Sequence, residues 1–348
     1  MFKSITLQNI RVFKKASFHF DEGINLIIGP NGSGKTTILE ALATFSFGRF
    51  QSIEKDQLAI RAGEQIGRIE AQIKENGSTH KLELALTPLK KTMKIDEKNL
   101  PASQMVGRQR AVLFNPETID LVSGAPQLRR RELDLTIAQN HPAHIKILLE
   151  YRQILRQRNE LLKRIALDYA GIGELDFWDS KLAEHALSVV ALRQKFIATA
   201  NEKIGAIFAR LLKRNMQLSL CYVPTAHYDD FATALKHKRA YDLRSGLTSV
   251  GPHRDDFCFK SDQYKLEEGA SRGEQRLASF AFKLVERDYL TEEGSLPVLL
   301  MDDVFSELDK SRREMVTKVL DGGQIIVTAT DENVMPSMIR ENGRIIKL

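Results

Sequence analysis

A glycine-rich segment near the amino terminus constrains the fold of this chain more than any other feature. Residues 29–36 read GPNGSGKT and fit the pattern G-x-x-x-x-G-K-[ST]. They follow the apolar run Ile24–Ile28 and precede a helical pattern over residues 35–43. This order predicts a buried strand, then a phosphate-binding loop, then a helix whose first N–H groups point toward the phosphates of a nucleotide.

Each residue type in this loop suits a particular contact with a nucleotide. Lys35 would reach the β- and γ-phosphate oxygens, and Thr36 would ligate Mg²⁺. A chance glycine turn is the alternative, but the strand before the loop and the helix after it favour the nucleotide site. The residues expected to bind the nucleotide here are Gly29, Pro30, Asn31, Gly32, Ser33, Gly34, Lys35, Thr36 and Thr37.

A second apolar run, Val298–Met301, ends in two acids, Asp302 and Asp303. A continuous apolar run is typical of a strand buried in a parallel sheet, and ligands bind beyond the carboxyl ends of such strands. We therefore expect Asp302 to hold Mg²⁺ and Asp303 to be the base for an attacking water, with Lys35 completing the catalytic set. A helix cap is the alternative for the acid pair.

The segment SRGEQR, residues 271–276, precedes another helical pattern. Ser271 followed three residues later by Glu274 predicts a helix N-cap. The same cap offers a hydroxyl group, N–H groups and the positive end of the helix dipole to a phosphate. Ser271 and Gly273 are therefore further candidates for nucleotide binding.

Long helical patterns lie between these motifs, over residues 127–167 and 177–214, with a break at residues 171–173. They predict a helical hairpin. Strand-like and nucleotide-motif sequence lies on both sides of it, which predicts one α/β domain formed by the two ends of the chain. The predicted division is residues 1–126 and 248–348 for this domain, in two parts, and residues 127–247 for an inserted helical arm.

The charge balance is mildly basic, with 51 Lys and Arg against 45 Asp and Glu. Such a bias is compatible with a polyanion as partner but does not establish one. Three basic residues of one predicted helix fall within about 40° of each other, and three consecutive arginines lie earlier in the chain. The candidate DNA contacts are Arg129, Arg130, Arg131, Arg152, Arg156 and Lys163. A solvated helix face is the alternative.

Cys221 and Cys258 are the only cysteines, without a paired spacing, so the sequence predicts neither a disulfide framework nor a zinc site. We expect both to be core residues in a reducing compartment. The amino terminus lacks the pattern of a secretory signal, and no apolar run approaches the ~20 residues of a membrane span. These features predict a cytoplasmic protein without a membrane partner.

Several segments resemble the RecF family of ABC ATPases. They are LQNIRVF near the start, LFNPETIDLVSGAPQLRRRELD over residues 113–134, VGPHRDDF over residues 250–257, SRGEQR, and MDDVFSELD over residues 301–309. The helical stretches are short, unlike the long coiled coils of SMC-type relatives. The resemblance implies an ABC-type P-loop ATPase domain with an inserted helical arm.

For this family the resemblance implies ATP and Mg²⁺ as cofactors and an ATP-dependent homodimer, in which Ser271 and Gly273 of one subunit complete the site of the other. Residues 306–309 resemble the D-loop that crosses this interface. Asp303 stands where the wider class usually has Glu, which implies slow hydrolysis. The family function implied is a recombination mediator that binds double-stranded DNA or strand junctions, works with RecR and RecO, and helps load RecA on single strands.

Some expected features are missing or ambiguous. The switch histidine of many relatives is absent, with Thr328 and Thr330 nearby, and Gln109 is the nearest candidate for the Q-loop. Two other functions stay open at this point: an ATPase that couples to a membrane transporter, and a chromosome-binding protein that does not hydrolyse ATP.

A group of polar residues, His253, Arg254, Asp255 and Asp256, follows a Gly-Pro turn. It could be taken for a metal or catalytic cluster. We instead expect a structural or interface role, with Arg254 paired to the acids beside it.

Overall fold

The computed structural model describes residues 1–75, 77–119, 121–214, 216–262, 264–292, 295–306, 313–314, 316–317, 320 and 322–348. The chain packs into two compact units. The sheet unit comprises Met1–Asp120, Arg210–Lys213 and Ser279–Leu348, and the helical unit comprises Leu121–Ala209 and Arg214–Ala278.

The first 119 residues contain most of the strands of the sheet unit. In chain order the elements are β1 (Phe2–Ile10), β2 (Phe13–His19), β3 (Ile24–Ile28), α1 (Lys35–Phe47), β4 (Gly67–Glu75), β5 (Ser78–Leu86), β6 (Lys91–Ile95), β7 (Lys98–Leu100), α2 (Ala102–Met105), β8 (Ala111–Phe114) and α3 (Pro116–Ile119). Six of these strands form an antiparallel sheet in the order β2-β1-β4-β5-β6-β7. Its strands alternate in burial: Ile69, Ala71 and Ile73 of β4 are buried, as one face of a half-covered sheet requires.

The middle of the chain is mainly helical. Its elements are α4 (Pro126–Asn140), α5 (Ala143–Ala166), α6 (Leu175–Asn201), α7 (Ile204–Leu212), β9 (Ser219–Val223), α8 (Phe231–Ser245), β10 (Asp256–Lys260), α9 (Leu266–Gly269) and α10 (Arg272–Leu290). Helices α5 and α6 form the predicted hairpin, and α8 packs on both. Tyr151, Leu182, Val189 and Phe231 are central to the apolar core of the helical unit.

The structure divides the middle region more finely than the sequence patterns predict. The first helical pattern is interrupted at Pro142, which cannot donate a backbone hydrogen bond, and the second is interrupted near residue 202. Residues 248–278 lie in the helical unit, whereas the predicted boundary puts them in the nucleotide domain. Strand pairing gives the reason, because β10 pairs in antiparallel register with β9.

The carboxyl-terminal elements complete a second sheet in the sheet unit. They are β11 (Val298–Met301), β12 (Ile325–Ala329), α11 (Ser337–Asn342) and β13 (Arg344–Lys347). The sheet is parallel in the order β13-β3-β12-β11-β8, and the strand bodies of β8, β11 and β12 are buried. Both chain ends therefore contribute to one α/β domain, as the sequence predicts.

None of the helices in the described part of the chain combines the length and the apolar composition that crossing a bilayer requires.

Candidate nucleotide site

The glycine-rich loop connects β3 to α1 at the carboxyl edge of the parallel sheet. Its last glycine, Gly34, caps α1 in the left-handed region, with φ of 103°. A β-carbon there would lie 2.5 Å from Cζ of Phe13, so glycine is required both by the backbone and by this close contact. The first turn of α1, all of it described, carries no acidic side chain, so its positive dipole end is available to an anion.

The ammonium group of Lys35 is held over the loop by main-chain carbonyls. Lys35 is 7% exposed, and its Nζ donates to the carbonyls of Gly29 at 2.6 Å and Pro30 at 3.0 Å. The charge is thus buried against neutral carbonyl groups, and no carboxylate of the described residues pairs with it. The hydrogen bonds of such a cation become stronger when a charged phosphate oxygen replaces a neutral carbonyl oxygen as acceptor.

The two acids predicted to act on the nucleotide lie at the end of β11, next to β12. Thr328, fully buried in β12, donates its hydroxyl to Oδ1 of Asp302 at 2.8 Å and accepts from the backbone N–H of Asp303 at 3.0 Å. One threonine therefore fixes both acidic residues. Asp303 itself has a φ of 51°, in the left-handed region that non-glycine residues seldom adopt.

The carboxylate of Asp302 has no cationic partner among the residues that the structure describes. It is 8% exposed, and burial raises the pKa of its carboxyl above the ordinary value, while hydrogen bonds from Thr328 and Thr36 act in the opposite direction. The hydroxyl of Thr36 and the carboxylate of Asp302 are adjacent hard oxygen donors, the type that Mg²⁺ prefers. The donor set and the uncompensated charge both fit a magnesium ion.

The predicted N-cap at the start of α10 is present. The backbone N–H and the hydroxyl of Ser271 donate to Oε2 of Glu274 at 2.8 and 2.9 Å, and the N–H of Glu274 donates to Oγ of Ser271 at 3.3 Å. These contacts form a reciprocal capping box. Glu274 also pairs with Arg214, and Ser271 is exposed.

The predicted D-loop is described only at its first residue. Ser306 turns back on the acids, with its Oγ donating to the carbonyl of Asp303 at 2.7 Å. Glu307, Leu308 and Asp309 lie outside the described residues.

Gln109 does not have the surroundings that a Q-loop residue needs. It is buried, its side-chain carbonyl accepts from the amino group of Met1 at 2.9 Å, and its amide donates to the carbonyl of Arg110. The carbonyl of Phe114 at the end of β8 instead accepts from the N–H of Asp302 at 2.8 Å. The residues after β8, beginning with Asn115, therefore share the edge of the sheet with Asp302.

The group at residues 253–256 is a polar junction inside the helical unit. Nε2 of His253 lies 3.1 Å from the carbonyl of Thr248, which only accepts, so the proton is on Nε2 and Nδ1 accepts from the hydroxyl of Tyr151 at 2.7 Å. Burial lowers the pKa of His253 to about 4, so the ring is neutral at pH 7. The contacts support the expected structural role.

Both acids of this junction are engaged by residues other than Arg254. Asp255 accepts from Tyr222, Tyr228 and Thr225. Asp256 accepts two hydrogen bonds from Arg129. The expected pairing of Arg254 with its neighbours is therefore wrong, because these carboxylates point toward other partners, and the side chain of Arg254 is exposed.

The candidate DNA residues fall into two groups. Arg129 is 4% exposed, and its guanidinium is used by Asp256 and three main-chain carbonyls, so it is not available to a phosphate. Arg130, half-buried, donates to the carbonyl of Asp255, and Arg131 is also partly buried. Arg152, Arg156 and Lys163 are exposed on one side of α5.

The sequence placed Thr328 near the position of the absent switch histidine but did not indicate its contact with Asp302, and it did not indicate that Asn115 lies at the same edge of the sheet. Thr328 carries no local pattern that marks it as a partner of Asp302, because that contact joins two strands. The position of Asn115 could have been found, since the apolar run Ala111–Phe114 before it has the character of a buried parallel strand.

The fold and the loop at its sheet edge define a nucleotide-binding head of the class that RecF, RecN and SMC proteins share. Residues 1–347 match the family model of the RecF/RecN/SMC N terminal domain. The Smc head domain bound to the C-winged helix domain of ScpA has the same fold, with a TM-score of 0.58 at 14% identity over 99% of this chain and 93% of that one.

Relatives with higher sequence identity show which family within this class the chain belongs to. The DNA replication and repair protein RecF of Lactobacillus johnsonii is 32% identical, with 96% of this chain and 94% of that protein covered. The protein of the same name from Agathobacter rectalis is 34% identical, with 94% and 91% covered. A solved structure of the recombination mediator protein RecF-ATP in the RecFOR pathway has a TM-score of 0.88 at 30% identity, over 95% of this chain and 92% of that one. This chain belongs to the RecF family of DNA replication and repair proteins.

Proposed function

We propose that this protein binds ATP at the edge of its parallel sheet and uses it to control a dimer on DNA during recombinational repair. The observation that carries the proposal is the convergence of a buried lysine, a helix amino terminus and an uncompensated carboxylate on the ends of β3 and β11. A triphosphate supplies the negative charge that Lys35 and α1 attract. The RecF structures described with ATP and with ATPrS support the choice of nucleotide.

Thr36 and Asp302 would hold Mg²⁺ between them. The ion, when bound, would neutralise charge that develops on the phosphate oxygens. Lys35 must then exchange the carbonyls of Gly29 and Pro30 for phosphate oxygens, which are stronger acceptors for an ammonium group. Thr328 keeps the carboxylate of Asp302 in position while this exchange takes place.

Asp303 is our candidate for the base that orients the attacking water. Its backbone N–H is fixed by Thr328, and its side chain is one methylene shorter than the Glu of many ABC ATPases. A shorter side chain holds the water less closely, so we expect slow hydrolysis, suited to a switch.

Dimerisation would place the capping box of one subunit against the nucleotide of the other. Ser271 is exposed at the start of a long helix, and its hydroxyl is held by a carboxylate that can be exchanged for phosphate. Gly273 would allow the close approach. ATP then links the two subunits and sets the time for which they stay together.

DNA would contact the exposed basic side of α5. Arg152 and Arg156 form no hydrogen bond or ion pair with any residue that the structure describes, and Lys163 has only the exposed Glu160 as partner. Such side chains suit contacts with phosphates, which are independent of sequence and weakened by salt. Arg130 and Arg131 are secondary candidates, and Arg129 is left out because it is buried.

Membership of the RecF family supports a proposal for the pathway partners. We propose that the dimer recognises double-stranded DNA or junctions with single strands, works with RecR and RecO, and helps load RecA in the cytoplasm. The names of the neighbouring structures, which place RecF in the RecFOR pathway, support this role. They also favour it over a transporter ATPase or a chromosome-structure protein.

The test is the mass of the protein in solution, measured by light scattering with and without ATP and duplex DNA. We expect the mass of the wild type to double only with ATP, and both Lys35→Ala and Ser271→Arg to stay monomeric. Ser271→Arg should keep the ATP affinity of a single subunit. Dimerisation of Ser271→Arg equal to that of the wild type would contradict the role of the α10 cap.

A further inference from the structure

The two cysteines of the chain face each other across the two-stranded sheet of the helical unit. Cys258 in β10 is the register partner of Cys221 in β9. Both thiols are free and partly exposed, whereas the sequence predicted core residues. Because the chain has no other cysteine, this pair is the only intramolecular disulfide that it can form.

The hydrogen bonds of the backbone around Cys221 show whether the two cysteines form a hydrogen-bonded or a non-hydrogen-bonded pair of the antiparallel ladder. The N–H of Leu220 donates to Oδ1 of Asn201 at 2.7 Å, and the carbonyl of Leu220 accepts from Nδ2 of the same residue at 2.9 Å. Both groups of Leu220 therefore point away from β10, and those of the next residue, Cys221, point toward it. In such a hydrogen-bonded pair the Cα atoms lie about 5.5 Å apart, within the span of roughly 4.4–6.8 Å found in disulfides.

The cysteines lie on the more accessible face of this sheet. Leu220, Phe257 and Phe259 are at most 2% exposed and form the core face, and strand alternation turns Cys221 and Cys258 the other way. Burial raises the pKa of the Cys258 thiol, and the neighbouring Cys221 thiol raises it further, as expected of two sulfur atoms within interaction distance.

We propose that Cys221 and Cys258 form a dithiol oxidation site, which hydroperoxides convert to a cross-strand disulfide. The thiol of Cys221 loses its proton, and the thiolate sulfur takes one oxygen from hydrogen peroxide as the O–O bond breaks, which gives a sulfenic acid. The hydroxide that leaves takes up the proton and becomes water. The thiol of Cys258 then attacks that sulfur, the S–S bond forms, and a second water leaves. The two cysteines lose two electrons in total and hydrogen peroxide accepts them, so the reaction balances.

The disulfide formed here is expected to be readily reduced. Directly opposite residues of an antiparallel pair have Cβ atoms about 4.5–5.5 Å apart, but a disulfide needs about 3.5–4.5 Å. The strands must therefore move together, and a strained disulfide has a more oxidising potential than a relaxed one. Oxidation at this site is consequently reversible by ordinary thiols.

Closure of the disulfide would fix both ends of the segment 221–258, which contains α8 and the polar junction. Tyr222, next to Cys221, donates to Asp255, and Asp256 near Cys258 holds Arg129. The cross-link thus joins the two strands that position this junction. The inference concerns the helical unit and is independent of the proposed nucleotide function.

The test uses the full-length protein, reduced and freed of reductant, then treated with hydrogen peroxide. Remaining thiols are alkylated with N-ethylmaleimide under denaturing conditions, and the intact mass is measured. We expect both alkylation sites to disappear together, leaving monomers two hydrogens lighter, and a disulfide-linked peptide pair containing Cys221 and Cys258. Treatment with dithiothreitol should restore both thiols.

Cys221→Ser and Cys258→Ser are the matched controls, since each keeps one thiol and cannot form the internal disulfide. Cys258→Ser should instead yield a sulfenic acid at Cys221, trapped by dimedone. The proposal is overturned if the wild type keeps both thiols at a peroxide dose that labels Cys258→Ser. It is equally overturned if the wild type forms disulfides only between chains, or accumulates dimedone adducts as that variant does.

Discussion

Two buried carboxylates, one in each unit, have opposite surroundings. Asp134 in the helical unit accepts two hydrogen bonds from Arg193, at 2.9 and 2.8 Å, and lies 3.1 Å from Nε2 of His144. Burial alone would raise its pKa, but Arg193 and His144 more than offset this and hold the pKa at about 2. The carboxylate of Asp302 in the sheet unit accepts from the hydroxyl groups of Thr328 and Thr36, and burial raises its pKa.

The difference separates a structural charge from a functional one. The helical unit repeats the compensated arrangement at Arg158, which is fully buried between Asp179 and Asp242. Such pairs stabilise one arrangement of α5, α6 and α8. Asp302 lacks a cationic partner among the described residues, so its charge becomes fully compensated only when a ligand brings a cation.

Removal of a compensating cation should have the largest effect on stability. In Arg158→Ala the carboxylate of Asp242 loses its buried cation, and that of Asp179 is left with the partly exposed Arg239, so we expect the free energy of unfolding to fall by about 3–5 kcal/mol. Urea denaturation followed by circular dichroism measures this loss. The exposed Arg152→Ala is the control and should change stability by about 0.5 kcal/mol or less. Equal losses in the two variants would contradict the structural role of the buried pairs.

The acid of the nucleotide site should respond in the opposite way. Asp302→Asn removes a charge that the folded protein does not compensate, so we expect stability to be kept and ATP turnover to fall by about 100-fold. Phosphate release and urea denaturation are measured on the same sample. Asp134→Asn should show the reverse pattern, with lower stability and normal turnover per folded molecule. Loss of stability in Asp302→Asn without loss of turnover would remove the distinction.

The depressed pKa of Asp134 predicts how stability depends on pH. A carboxyl with a pKa of 3.8 when unfolded and about 2 when folded stabilises the protein above pH 3.8, and the gain is lost as pH falls through about 2. The contribution is about 2 kcal/mol. Urea denaturation of the wild type and Asp134→Asn between roughly pH 5 and pH 2 checks this. If the difference in unfolding free energy between the two proteins does not change with pH, Arg193 and His144 do not lower the pKa of Asp134.

Thr328 should give the smallest of these effects. Thr328→Val keeps the volume of the side chain but removes both hydrogen bonds that orient Asp302 and Asp303. We expect the activation free energy of ATP hydrolysis to rise by about 1–2 kcal/mol, which lowers turnover roughly tenfold. Thr328→Ser keeps the hydroxyl and should retain most of the activity. The ratio of turnover to ATP affinity is the measurement. If Thr328→Val and Thr328→Ser lower this ratio equally, the hydroxyl group of Thr328 does not position the two acids.

The sequence predicted those parts of the fold that depend on local patterns. The strands Ile24–Ile28 and Val298–Met301 and the start of α1 lie where the apolar runs and the loop pattern put them. The prediction for Arg129 could not be made correctly from three adjacent arginines, since only the path of β10 brings Asp256 to one of them.

Contacts between distant strands limited the prediction of the site in the same way. Asp302 was found because an apolar strand ending in acid is a local signal. Its partner Thr328 is 26 residues away along the chain and is joined to it only by strand pairing. The register of Cys221 and Cys258 likewise depends on β9 and β10, which are separated by α8.

Nucleotide binding at the glycine-rich loop is tested most directly by the affinity for ATP with Mg²⁺, measured by titration calorimetry. Lys91 is the matched control for Lys35, because it is also partly buried and donates to a main-chain carbonyl, that of Gly48, but it pairs with Asp56. We expect Lys35→Ala to lose at least about tenfold in affinity, whereas Lys91→Ala should bind ATP as the wild type does. Equal affinity of Lys35→Ala and the wild type would show that the loop at residues 29–36 does not bind ATP through Lys35.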